Sequence, residues 1–143
     1  MQSQEAAIYR DIQKNADRMM KTLDTLSDKV YDSDLAIQIS RQSLKYSQIH
    51  NEATQKLVDS KSEHYKSTYL EDFVQKGNLQ YNTLLNTSTG HIAELLIENT
   101  TKGIVEMEKT LRHHPDVMGE PADLAKKMLT LEEKNVAAWK EFL

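Results

Sequence analysis

NTSTGHIAELLIENTTKGIVEMEKTLRHH, residues 86–114, decides how the rest of the chain is read. Its opening Asn, Thr and Ser cluster suits a helix start. Ile92, Leu95/Leu96, Met107 and Leu111 then recur at helical spacing, the mark of one buried face. Asn99, with Thr100 and Thr101 beside it, interrupts that face at its centre, and Gly103 lies on it too. A mid-helix glycine costs about 1 kcal/mol relative to alanine. Its simplest reading is the close approach of a neighbouring helix or bulky side chain, with Trp139 or Tyr46 as candidates. The helix ends near His113-His114-Pro115, because proline disfavours helix for the residue before it.

Outward from this stretch, the same periodicity gives three more long helices. Residues 4–30 carry Ile8, Ile12, Asn15/Ala16, Met19, Leu23, Leu26 and Val30 on one stripe, with Ser3 as the expected N-cap and Arg10, Lys14, Arg18 and Lys21 off it. Such a helix is roughly 40 Å long. Tyr31-Asp32-Ser33-Asp34 supplies a turn and a cap for a second helix over 34–60, striped by Leu35, Ile39, Gln42, Tyr46, Ile49, Ala53 and Leu57. So short a connection favours an antiparallel pair. From Asp59 to Lys76 the pattern weakens into a polar crossover that includes His64, read as a surface residue. A short amphipathic helix over about 70–85, anchored by Leu79, Leu84 and Leu85, is expected to cover one end of the molecule. The last helix starts at Glu120-Pro121-Ala122-Asp123, with proline early and acids at the positive end of the dipole. It carries Leu124/Ala125, Met128, Leu131/Glu132, Asn135, Trp139 and Phe142.

Composition narrows the function. A chain of 143 residues is read as one domain, 1–143. No cysteine means no disulfide, thiolate metal site or cysteine nucleophile. With 22 acidic against 18 basic residues and a net charge of -4, nothing points to nucleic acid. The apolar runs are too short for a membrane span or a signal-peptide core, so a cytoplasmic address is expected. Four glycines and two prolines in a chain rich in Leu, Lys, Glu and Gln favour long helices. The expected fold class is all-α: an up-down four-helix bundle, with a long crossover carrying a short fifth helix between helices 2 and 3.

Four-helix bundles with one crossover include carboxylate-bridged di-metal proteins, which need inward Glu residues on two helices and E-x-x-H on the other two. That set is incomplete. Glu132 and Asn135 give E-x-x-N, Ser47 stands three residues before His50, and Asn15 occupies the inward place expected of an acid. An amide is a poor substitute for carboxylate or imidazole. His91, Glu94 and Glu98 share a face at i, i+3 and i+7, so a weaker metal site is a second candidate, against a plain solvated helix edge. His113-His114 suits a helix C-terminus. Methionines at 19, 20, 107, 118 and 128 read as core filler. No hydrolase triad, phosphate-binding glycine loop or nucleotide fingerprint occurs.

The inward polar residues suggest a structural role instead. Asn15, Gln42, Tyr46, Asn99 and Asn135 all fall on apolar stripes. A buried amide without a hydrogen bond costs about 1–3 kcal/mol. These residues are expected to form a polar layer across the middle of the bundle, with Glu132 nearby and Thr100 or Thr101 helping, and to fix helix register.

Two runs carry a family resemblance. Ser88-Thr89, Ile92-Ala93-Glu94-Leu95-Leu96-Ile97 and Thr101-Lys102-Gly103-Ile104 resemble a run in small bacterial ferritin-like proteins of the DUF2383-like sort. Leu129-x-Leu131-Glu132-Glu133-x-Asn135, continuing to Trp139-Lys140-x-Phe142-Leu143, is similar to their last helix and to a rubrerythrin-type helix with Asn135 in place of histidine. The likeness covers the second half of the chain well and the first only in helix pattern. It implies a ferritin-like bundle and no particular activity. The expectation is a non-catalytic structural or interaction module with no cofactor. The alternative is an iron- or manganese-binding ferritin-like protein or oxidoreductase; a small-molecule site near Tyr65, Tyr69 and Phe73 is a third class. Pairing of two copies through a helix face is compatible with a bundle of this size.

Overall fold

The computed structural model describes residues 1–84 and 86–143. Within them lie five helices and no strand: α1 (Ser3–Ser27), α2 (Ser33–Asp59), α3 (Tyr69–Thr83), α4 (Thr89–His113) and α5 (Glu120–Lys140). Each long helix starts where the local chemistry favours it. Asp32 accepts from the Leu35 amide at 2.8 Å, and Ser88 accepts from the His91 amide, satisfying donors that the first turn leaves unpaired. α1 starts one residue earlier than expected: Gln2 is the cap, its backbone N–H donating to Glu5 at 3.3 Å, and Ser3 is already helical. α5 begins after Gly119, whose φ of 83° lies in the left-handed region that a side chain disfavours.

Contacts between helix ends set the directions. Ser60, after the end of α2, reaches Met1 beside the start of α1, so this pair is antiparallel. Gly90 packs against the backbone of Leu143, so α4 and α5 are antiparallel as well. Asp11 meets Thr110 while Arg18 meets Asn99, so α4 also runs against α1. Hence α2 and α4 run the same way, and residues 60–84 return along the length of the bundle.

That return is pinned to α1. Gln13 donates to Thr54 at 2.9 Å, faces His64 Nδ1 at 3.3 Å and accepts from the Tyr65 amide at 2.9 Å. His64, expected at the surface, is thereby half-buried against α1. α3 lies along the second half of α1 and not across an end. Lys21 bonds Asp72 at 2.8 Å, Gln75 reaches the Arg18 carbonyl and Thr22, and Lys29 bonds Gln80. Leu79 is buried as expected, but Leu84 is 74% exposed and anchors nothing. Asp72, Gln75, Leu79 and Thr83 share one face, and Leu84 falls off it. The proposed anchor Leu85 lies outside the described residues.

The core between the helices is apolar: Ile8, Ile12, Met19, Leu23 and Leu26 of α1, Leu35 and Leu57 of α2, Ile92, Leu96 and Met107 of α4, and Ala125, Met128 and Trp139 of α5 are fully or almost fully buried. Burying such side chains contributes roughly 1.5–3 kcal/mol each. No helix is long and apolar enough to cross a membrane among the described residues.

Candidate functional site: a polar layer through the core

Halfway along the bundle the apolar stripes are broken at one level by polar side chains from three helices. Asn15 of α1, Tyr46 of α2, and Glu132 and Asn135 of α5 are all buried. Glu132 is the hub. Its Oε1 accepts from the Asn15 amide at 2.6 Å and its Oε2 from the Tyr46 hydroxyl at 3.2 Å. Asn135 donates to the Tyr46 oxygen at 3.3 Å. α4 joins through its backbone: the Asn15 amide also donates to the Gly103 carbonyl at 3.3 Å. One carboxylate thus ties α1, α2 and α5 together, and one amide adds α4.

Gly103 is what lets this happen. A Cβ there would collide with the Glu132 carboxylate and would lie 2.6 Å from Asn15 Oδ1 and 3.1 Å from an Arg18 nitrogen. The nearest neighbours are therefore Glu132, Asn15 and Arg18, and not the bulky rings of Trp139 or Tyr46. Trp139 lies nearby and donates to the Thr100 hydroxyl at 3.2 Å, while Thr100 donates to the Leu96 carbonyl at 2.7 Å.

Arg18 is the component that periodicity did not flag. Spacing sets it off the apolar stripe with Arg10, Lys14 and Lys21, yet it is half-buried. Its Nη2 donates to Asn15 Oδ1 at 3.1 Å and to the Asn99 carbonyl at 3.4 Å. The available signal was its place three residues after Asn15, which puts both on one side of the helix. Burial lowers the pKa of the Arg18 guanidinium, opposed by attraction to Glu132 and Glu106.

Two members of the expected layer do not belong to it. Gln42 is buried one turn before Tyr46, but its Oε1 has no hydrogen-bond partner among the described residues. Sharing a stripe with Tyr46 gives Gln42 the same face and a different height. Asn99 donates from its side chain to the Leu95 carbonyl of its own helix at 2.8 Å, and contributes to the layer only a backbone oxygen. Thr101 is exposed. Because Gln42 carries an unpaired buried acceptor, Gln42→Leu is expected to stabilise the fold by about 1–2 kcal/mol in denaturant titration. Destabilisation of that size would show that Gln42 makes a hydrogen bond after all.

Burial raises the Glu132 carboxyl to about 7, against the hydrogen bonds from Asn15 and Tyr46 and the Arg18 charge, all of which favour the ionised form. Burial, and next the Glu132 charge, push the Tyr46 hydroxyl well above its ordinary value. The hub therefore changes charge near neutrality inside a site sealed from solvent.

As a metal centre the layer supplies one carboxylate, two amides and a phenol, and this donor set does not fit a carboxylate-bridged metal pair, which needs several anionic oxygens and imidazoles. The other candidate ligands lie elsewhere. His91 Nε2 donates to the Asn82 carbonyl at 2.7 Å, and its Nδ1 faces Glu94 at 3.5 Å. Glu94 and Glu98 are exposed, whereas Glu132 is buried against Gly103, twelve residues along α4 from His91. No group of three or more His, Asp or Glu side chains converges in metal-binding geometry among the described residues. A groove of about 690 Å³ between α1, α3 and α4 is lined by Arg18, Tyr65, Leu70, Val74, Leu95 and Lys102 among others. Of the aromatic residues expected to form a pocket, Tyr65 lines this groove, while Tyr69 and Phe73 face solvent. In comparisons of the chain with protein-family models, with curated proteins and with solved structures, nothing matches.

Proposed function

We propose that this protein is a ferritin-like bundle in which a hydrogen-bonded polar layer stands where related bundles hold metal, and that it acts as a non-catalytic structural or interaction module. One observation carries the reading: both oxygens of Glu132, the one buried carboxylate among the described residues, are taken by Asn15 and Tyr46. A carboxylate held this way is the centre of a chain of side-chain hydrogen bonds from Arg18 to Asn135 and leaves no set of anionic ligands facing a shared point. The parallel course of α2 and α4, with the connecting segment returning along the bundle, supports the ferritin-like reading, since that architecture has one long crossover.

The layer serves register. Four helices whose stripes are otherwise Leu, Ile, Met and Ala can slide by a turn at modest cost. A slide here would strand Glu132, Asn15 and Tyr46 in hydrocarbon, at about 1–3 kcal/mol for each neutral group and more for the charge. Chemistry, in this view, is absent from the core and recognition takes place on the surface.

Metal analysis of protein produced with iron and with manganese tests this. The expected result is metal far below one ion per chain, unchanged in Glu132→Gln. Near-stoichiometric metal that disappears in that variant would overturn the reading in favour of an iron- or manganese-binding protein.

A further inference from the structure

α3 is apolar on two sides. Its inner face, with Leu79 and Thr83 buried, packs on α1. Its outer face carries Leu70, Val74, Gly77 and Tyr81 and is continued by the C-cap Leu84, at steps of four, three, four and three residues. That is the seam of a coiled coil. It is exposed, with Leu70 and Val74 at its first end also bordering the groove beside α1 and α4: Leu70 is 69% exposed, Val74 49%, Tyr81 80% and Leu84 74%, with Phe73 alongside at 67%. Solitary exposed apolar residues are ordinary, but a continuous stripe on one helix is a docking surface.

The arrangement identifies the occupant. The seam is symmetric about Gly77: Leu70 lies seven residues before it and Leu84 seven after, while Phe73 lies four before and Tyr81 four after. Two copies of α3 laid antiparallel with Gly77 at the crossing therefore set Leu70 against the partner's Leu84, and Phe73 against the partner's Tyr81. Such an interface is self-complementary, as a two-fold dimer requires. Gly77 has no atom within 4 Å of where its Cβ would stand, so the helices can approach there freely. Of the charged residues of α3, Asp72 bonds Lys21 on the inner side and Glu71 bonds the Tyr65 hydroxyl, so neither carboxylate lies on the seam. Leu70, Phe73, Val74, Tyr81 and Leu84 together leave on the order of 600 Å² uncovered, at the lower end of what specific protein–protein interfaces bury per partner.

We propose that two copies of this chain pair through α3, antiparallel and crossing at Gly77. The proposal rests on the reading of the protein as an interaction module and names its partner as a second copy of itself. An interface this small belongs with weak, reversible pairs, for which a dissociation constant of roughly 1–50 µM is expected.

A chain without cysteine makes the test direct. Sedimentation equilibrium of the full chain is expected to show dimers, with Tyr81→Glu weakening association at least ~10-fold while the circular dichroism spectrum stays unchanged. Under mild oxidation, Gly77→Cys is expected to cross-link to itself. Leu70→Cys and Leu84→Cys are expected to cross-link efficiently only when mixed. A chain monomeric at about 100 µM, well above that range, overturns the proposal and leaves the seam to a different protein. So does a dimer that cross-links through Leu44→Cys, on the exposed face of α2, and not through Gly77→Cys. Monomers with little metal would sink self-pairing alone. Stoichiometric metal in an intact α3 dimer would sink the reading of the core alone.

Discussion

Gly103→Ala is expected to destabilise the protein by roughly 2–4 kcal/mol, although alanine is the better helix former by about 1 kcal/mol. The added methyl would overlap the Glu132 carboxylate and the Asn15 amide oxygen. Neither can retreat without cost. Asn15 is held by Gly103, Glu132 and Arg18, and Glu132 by Asn15 and Tyr46. Moving either leaves buried polar groups unpaired, whereas a shift of α4 as a whole opens gaps in the packing around Leu96 and Met107. Gly77→Ala is the matched control. Its Cβ meets open space, so the same substitution is expected to stabilise the monomer by about 0.5–1 kcal/mol. Denaturant titrations of the two variants should therefore move in opposite directions. If Gly103→Ala gained stability as Gly77→Ala does, the close packing of α4 on the layer would be refuted.

The second large effect is on pH dependence. The folded protein holds the Glu132 proton up to about 7, whereas the free side chain releases it near 4.5. Below the lower value both states are protonated and the neutral carboxyl sits in the core without penalty. Between the two values only the unfolded chain ionises, so stability falls as pH rises. Above the upper value both are ionised, and the folded state carries a buried charge. The full difference is about 3 kcal/mol. Glu132→Gln keeps the shape, can still accept from Asn15 and cannot ionise. Relative to the parent it is expected to be near-neutral at pH 4.5 and to become more stable by up to about 3 kcal/mol at pH 8. Taking the difference between parent and variant removes the titration of surface groups such as Asp72. Parallel stability curves from pH 5 to pH 8 would mean that Glu132 titrates as an ordinary carboxylate.

The four long helices were legible because their stripes are long and punctuated by strong signals such as Asp32, Ser88 and Pro121. Asn15, Tyr46 and Asn135 could be picked out because each is a polar residue on an otherwise apolar face. What periodicity does not encode is height along a neighbouring helix, so it could not separate Tyr46, which meets Glu132, from Gln42 one turn away. Nor does it encode direction. The apolar residues of α3 form two faces, and Leu84 was assigned to the inner one when it belongs to the outer. Arg18 escaped notice for a different reason. A long side chain can start at the edge of a helix and place its guanidinium over a buried amide, a reach that residue spacing does not reveal.

The layer also has a consequence for the order in which the chain assembles. The α1–α2 and α4–α5 pairs are joined by short loops and can form from nearby sequence. The bonds from Asn15 to Glu132 and from Tyr46 to Glu132 span 117 and 86 residues. Closing contacts of such separation is slow relative to local pairing, because the entropy of the intervening loop is lost before the contact compensates. Until the two hairpins meet, a carboxylate, an amide and a phenol remain hydrated on their open faces. Docking in the wrong register would dehydrate them without partners. Because it pairs fully only in register, the polar layer is expected to penalise misaligned docking of these otherwise interchangeable apolar surfaces.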